Sequence, residues 1–146
     1  MSARSSWGKT PRQSIDEECA RRGKDEVVAG CIDLLRGRDD DGDLILALGR
    51  PPARWVVTGE PGGPDYWLRV WAARGLLWAW DDVALSPLIV ALSDEAWRVR
   101  EMAVRVVARH RLVDAVETVA DLQDDPNARV RAAAKGALKR LVPRDE

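Results

Sequence analysis

Apolar residues along this chain recur at intervals of three and four, and no useful length alternates apolar with polar residues at period two. Val27, Cys31, Leu34 and Leu35 mark the first clear helix face. Ahead of it Ser14 and Glu17 have capping-box spacing, so structure is expected from about Ser14, with residues 1–13 a disordered tail. The acidic run Asp39-Asp40-Asp41-Gly42-Asp43 ends that segment and offers Asp43 as the N-cap of a helix over Leu44 to Leu48, which Gly49 and Pro51-Pro52 stop. A calcium loop starting at Asp39 would need a glutamate where Arg50 stands, so the run is read as a solvated turn. A short helical stretch over residues 53–58 leads into Gly59-Glu60-Pro61-Gly62-Gly63-Pro64, the strongest breaker in the chain. The remainder reads as helices joined by short polar turns, which makes the fold class all-α.

Within that remainder the pattern repeats. At an offset of 31, Asp94, Arg98, Val99, Arg100, Ala103 and Arg109 fall on Asp125, Arg129, Val130, Arg131, Ala134 and Arg140. Upstream of a one-residue adjustment in the turn, Leu85, Ile89 and Leu92 match Ala115, Val119 and Leu122. A weaker third copy is aligned on Asp65, Arg69 and Val70, which sets Trp71 in the place of Arg100 and Arg131. Val99, Met102, Ala103, Val106 and His110 share one arc of their helix, as do Val130, Ala133, Ala134, Ala137 and Leu141, so each second helix turns one face to the core.

This Asp-turn-Val-Arg-x-x-Ala pattern resembles the HEAT-like repeats of bacterial proteins, including the short type named after phycobilisome lyases. The resemblance implies a right-handed α-solenoid of antiparallel helix pairs, one domain over residues 14–146. Its units are a divergent N-terminal cap at 14–50 and repeats at about 51–80, 83–112 and 113–142. It also implies a binding scaffold that presents its second helices to a macromolecular partner, with a protein as the favoured partner. Two alternatives stand beside it: nucleic-acid binding through the Arg/Lys excess of the second helices, which the resemblance extends to the HEAT-like alkylpurine DNA glycosylases, and, on the resemblance alone, an accessory subunit of a pigment lyase.

Composition narrows the function further. The 146 residues include 23 basic and 24 acidic side chains, so global charge selects no partner. No apolar leader and no run long enough for a membrane span is present, and a cytoplasmic protein is expected. Cys19 and Cys31 lack metal-ligand spacing and are read as small buried hydrophobes, unlinked unless the helix breaks at Gly23. The single histidine, His110, occupies a core-face position, Asp81 and Asp82 are read as an N-cap, and the glycines at 59–63 lack a phosphate-loop lysine. Catalysis is therefore not expected, nor is a cofactor or metal.

Two features remain as binding candidates. Residues 97–111 and 128–141 hold ten Arg or Lys against the lone acid Glu101, while the turns carry the aspartates. An ion-pair ladder to those aspartates is expected of Arg98, Arg100, Arg129 and Arg131, which leaves Arg105, Arg109, Lys135, Lys139 and Arg140 to face a partner, including phosphates. The second feature is a stripe of Trp67, Trp71 and Trp78 at i, i+4 and i+11, with Arg74 among them. The candidate binding set is thus Trp67, Trp71, Arg74, Trp78, Arg100, Arg105, Arg131, Lys135 and Lys139. Trp71, Arg100 and Arg131 are expected to form an aromatic-to-cationic row across a concave face.

Overall fold

The structure, a computed structural model, describes residues 9–49, 53 and 64–141. These hold eight α-helices and no strand: α1 (Pro11–Arg22), α2 (Lys24–Leu35), α3 (Gly42–Gly49), α4 (Tyr66–Gly75), α5 (Leu85–Ala91), α6 (Trp97–His110), α7 (Val116–Asp121) and α8 (Ala128–Leu141). None is long and apolar enough to cross a membrane. The expected helix over 53–58 lies outside the described residues, except for Ala53, which is buried.

Order begins earlier than the Ser14 expectation. The capping box is formed by Thr10 and Gln13, with Pro11 in the first turn, and Ser14 instead donates from its hydroxyl to the Ala47 carbonyl. Residues 9–13 therefore belong to the folded unit, and the rest of the expected tail lies outside the described residues. α1 ends where Gly23 takes φ 94°, a conformation that favours glycine, and the chain turns directly into α2. Although the helix breaks there, Cys19 and Cys31 are both free thiols. Burial pushes the Cys31 thiol up to about 12, as suits an inert packing residue.

The cap of α3 is Asp41, not Asp43. Its Oδ1 accepts the Leu44 N–H while its carboxylate binds Arg22 of α1, and that pairing holds the Asp41 carboxyl below its ordinary range. At the other end of α3 the backbone runs against α4. A methyl added to Gly49 would stand 2.7 Å from Cε3 of Trp71, so only glycine allows this approach.

Beyond α3 the second helices stack in chain order, α6 packing on both α4 and α8, with α5 against α6 and α7 against α8. The N-terminal helices α1, α2 and α3 all pack on α4. Small and β-branched side chains make this closeness possible: Ala72, Ala103 and Ala134 are each wholly buried at equivalent positions.

The offset of 31 extends farther than the sequence alignment placed it. Short 3₁₀ turns at Asp82–Ala84 and Val113–Ala115 lead into α5 and α7, and the wholly buried pairs Ala84/Ala115 and Leu88/Val119 keep the same offset. No one-residue adjustment is needed. The same offset carried back one unit pairs Arg69 with Arg100, not with Arg98. Arg69 donates from Nε and Nη2 to Asp94 at 2.7 and 3.2 Å, and Arg100 does the same to Asp125 at 2.8 and 3.0 Å. The third copy is therefore displaced by two residues from its expected alignment, and Trp71 is the counterpart of Met102 and Ala133.

Asp125 shows what this link contributes. Burial alone would raise its carboxyl, but the Arg100 guanidinium, the Asn127 N–H and the Arg131 charge together hold it below the ordinary 3.8. A lowered folded value means that the stabilisation is complete above pH 3.8 and is lost as pH falls through the folded value. Asp125→Asn should cost about 2–4 kcal/mol at about neutral pH by weakening a largely buried charged pair. Urea unfolding followed from neutral to acid pH should show a shallower acid loss in the variant, and parallel pH curves for the two proteins would contradict this assignment.

Candidate functional site

The row of second helices presents a face whose side chains fall into three groups. The first builds the stack. Arg100 reaches Asp125 of the next unit and also donates to the carbonyls of Asp94 and Glu95 in its own turn. Arg131 repeats the second arrangement on the carbonyls of Asp125 and Pro126. Arg74 donates to the Leu48 carbonyl at the end of α3. In the same way Arg109 and His110 of α6 satisfy the carbonyls of Leu77 and Leu76, which follow α4. His110 also stacks on Trp80 with ring centroids 4.8 Å apart, the packing role expected for it. Asp81 accepts the Val83 N–H, as an N-cap should.

The tryptophan stripe does not survive as one surface. α4 ends at Gly75, so Trp78 falls in the following turn, half-buried against the core. Trp71 is 7% exposed, packed over Gly49, and its buried neighbour on the helix is Ala72. The expected row of Trp71, Arg100 and Arg131 is thus not formed: the first is core, and the other two are occupied by the turns. The two-residue displacement is the physical reason, because it moves Trp71 onto the core arc that Met102 and Ala133 already define.

A different row stands in its place. At the shared offset Trp67, Arg98 and Arg129 are equivalent, and Trp97 lies between the last two. The Arg98 guanidinium sits 5.4 Å over the Trp67 ring and 4.3 Å over the Trp97 ring, and that of Arg129 lies 5.4 Å over Trp97. Trp67 in turn stacks on Trp71, with centroids 6.2 Å apart. Neither Arg98 nor Arg129 joins the expected ladder to the turn aspartates. Arg98 has no carboxylate partner among the described residues, while Arg129 pairs with Glu101 at 3.2 Å. Carrying the offset of 31 back through Arg98 to Trp67 was the sequence signal that would have found this row.

The third group lines a shallow groove of about 530 Å³ between α6 and α8. Its floor is Val104 and Ala108 from α6 with Ala132, Ala133, Gly136 and Ala137 from α8, and Glu101, Arg105, Arg129 and Arg140 stand around it. Glu101 is engaged by Arg105 at 3.4 Å and by Arg129, whereas Arg140 has no partner among the described residues. Register explains why the groove exists. Where α6 carries Glu101, Met102, Arg105 and Val106, α8 carries Ala132, Ala133, Gly136 and Ala137, so the face of α8 turned to α6 is cut back by several side-chain atoms at these positions. A methyl added at Gly136 would meet nothing within 4 Å.

Lys135 and Lys139 are exposed and unpaired among the described residues, yet they stand at the equivalents of Val104 and Ala108, the α6 positions that face the next helix. They give the outer side of α8 a polar flank. Of the nine expected binding residues, only Arg105 lines the groove, and Trp67 belongs to the aromatic row beside it.

The placement of Trp71 yields a direct check. Trp71→Ala should lower unfolding free energy by about 3–5 kcal/mol, the range for truncating a buried aromatic. Thermal melting that leaves the variant close to the parent would show the residue to be exposed instead.

The family model for HEAT repeats matches residues 62–139, the span from the breaker through α8. No curated protein matches the chain. With a repeat that preserves buried alanines, turn aspartates and bidentate arginines in register, and a family match over more than half its length, the chain belongs to the HEAT-repeat family.

Proposed function

We propose that this protein is a non-catalytic scaffold that takes a protein partner on the face formed by α4, α6 and α8, with the α6–α8 groove as the principal seat. The observation that carries the reading is the local loss of side-chain volume in α8. Replacing Met102, Val106 and Arg105 equivalents by alanines and glycine costs packing inside the protein, and it leaves an apolar floor ringed by arginines. Such a floor admits the side chains of another molecule, while guanidinium groups at the edge supply directional hydrogen bonds. Helical repeats hold such a row on rigid elements, so the surface needs no rearrangement to bind. The chemistry that would suggest catalysis is absorbed elsewhere: His110 and Asp81 satisfy backbone groups, and both cysteines are packing residues.

Gly136→Leu tests the reading cleanly. The added side chain enters open groove, and replacing glycine inside a helix should stabilise the fold by about 0.5–1 kcal/mol. Affinity capture with the parent, with Gly136→Leu and with Val90→Glu, a change at an exposed residue of α5, should show partners retained by the first and third and lost by the second. Equal retention by all three would remove the groove as the binding seat.

A further inference from the structure

The occupant's chemistry can be taken further, on the basis of the scaffold reading above. We propose that the α6–α8 groove recognises an acidic amphipathic helix, with its small apolar side chains on the Ala132/Gly136 floor and its carboxylates on Arg129 and Arg140.

Charge supports this first. Around the groove stand three arginines and one acid, and that acid is spent: Glu101 is held by both Arg105 and Arg129. Arg140 and Arg98 carry no carboxylate among the described residues. Arg98 is also held by aromatic rings on two sides, Trp67 and Trp97. A guanidinium stacked on rings keeps its N–H edge for in-plane acceptors, and its conformational freedom is already spent before a ligand arrives. Trp97 moreover gathers two guanidinium groups, those of Arg98 and Arg129, and among the described residues the one ion pair they make is that of Arg129 with Glu101. An external carboxylate resolves that imbalance.

Spacing selects a helix. Arg129 and Arg140 lie eleven residues apart on α8, about 16 Å at 1.5 Å per residue, which is three turns of a partner helix. A partner helix with acids at i and i+11 on one face meets both ends, and the small residues between allow it to approach closely along the groove. Apolar residues at i+4 and i+7 of that helix then lie over Gly136 and Ala132. A nucleic acid would offer phosphates to the arginines but nothing to fill an alanine floor, and Lys135 and Lys139, unpaired among the described residues, do not line the groove.

The test uses the full chain and three fluorescent probes: a helical peptide of Glu, Ala and Leu with glutamates at i and i+11, the same peptide with Lys for Glu, and an oligothymidylate. Anisotropy should show the acidic helix binding at least about tenfold tighter than the basic one. Arg140→Glu and Gly136→Leu should each weaken it by about tenfold or more, and the joint change Lys135→Ala, Lys139→Ala by less than about twofold. Circular dichroism of each variant confirms that it is folded. Preference for the basic peptide or the oligonucleotide would overturn the proposal. So would indifference to Gly136→Leu, or no binding of the acidic helix at about 1 mM. If Gly136→Leu still abolishes capture of natural partners while the acidic helix fails, only the occupant assigned here is wrong. If capture is unaffected, the scaffold reading itself falls.

Discussion

Arg100 holds the architecture together from both sides. Its guanidinium fixes the carbonyls of Asp94 and Glu95, which shapes the turn before its own helix, and grips Asp125 through two parallel hydrogen bonds, which fixes the turn of the next unit. Asp125 also accepts the Asn127 N–H, and Asp94 likewise accepts the Ala96 N–H while held by Arg69. Side chains at both ends are largely buried, with the Asp125 carboxylate 4% exposed. Apolar packing alone tolerates sliding between helices. A bidentate pair tolerates almost none, so the stagger of one unit on the next is set to a single residue.

That fixed stagger is what gives the binding face its meaning. Since equivalent positions in α4, α6 and α8 occupy equivalent places, a change of side-chain size at one unit becomes a change of shape at one location. Alanines and glycine on α8 in place of Glu101, Met102, Arg105 and Val106 equivalents open a groove between two helices without disturbing the buried layer beneath, where Ala103 and Ala134 remain wholly buried. Trp67, Arg98, Trp97 and Arg129 extend the same face toward the helix N-termini as alternating rings and cations. Lysines at the Val104 and Ala108 equivalents give α8 a polar flank.

The sequence disclosed the repeat where identity was high and misplaced it where chemistry was mimicked. Arg98 to Arg109 and Arg129 to Arg140 share enough residues that their offset was unambiguous. In the third copy Arg69-Val70 imitated Arg98-Val99, and the choice cost two residues of alignment, because the deciding contact, Arg69 to Asp94, is made in space between units. The candidate site inherited that displacement: the expected alignment puts Trp71 in the surface row, and the fold puts it in the core. Caps failed for a similar reason. Both Thr10 and Ser14, and both Asp41 and Asp43, have capping chemistry, and only tertiary neighbours such as Ala47 and Arg22 decide between them. Nothing in the spacing of the sequence marks Trp97, whose place in the row comes from the Arg98 and Arg129 guanidinium groups over its ring.

The interaction on which all of this rests can be measured by itself. A double-mutant cycle of Arg100→Ala and Asp125→Ala, read by urea unfolding at neutral pH, should give a coupling of about 1–3 kcal/mol, since the two groups share hydrogen bonds in a largely buried position. Additive losses, with coupling near zero, would mean that the pair does not set the register of the repeats.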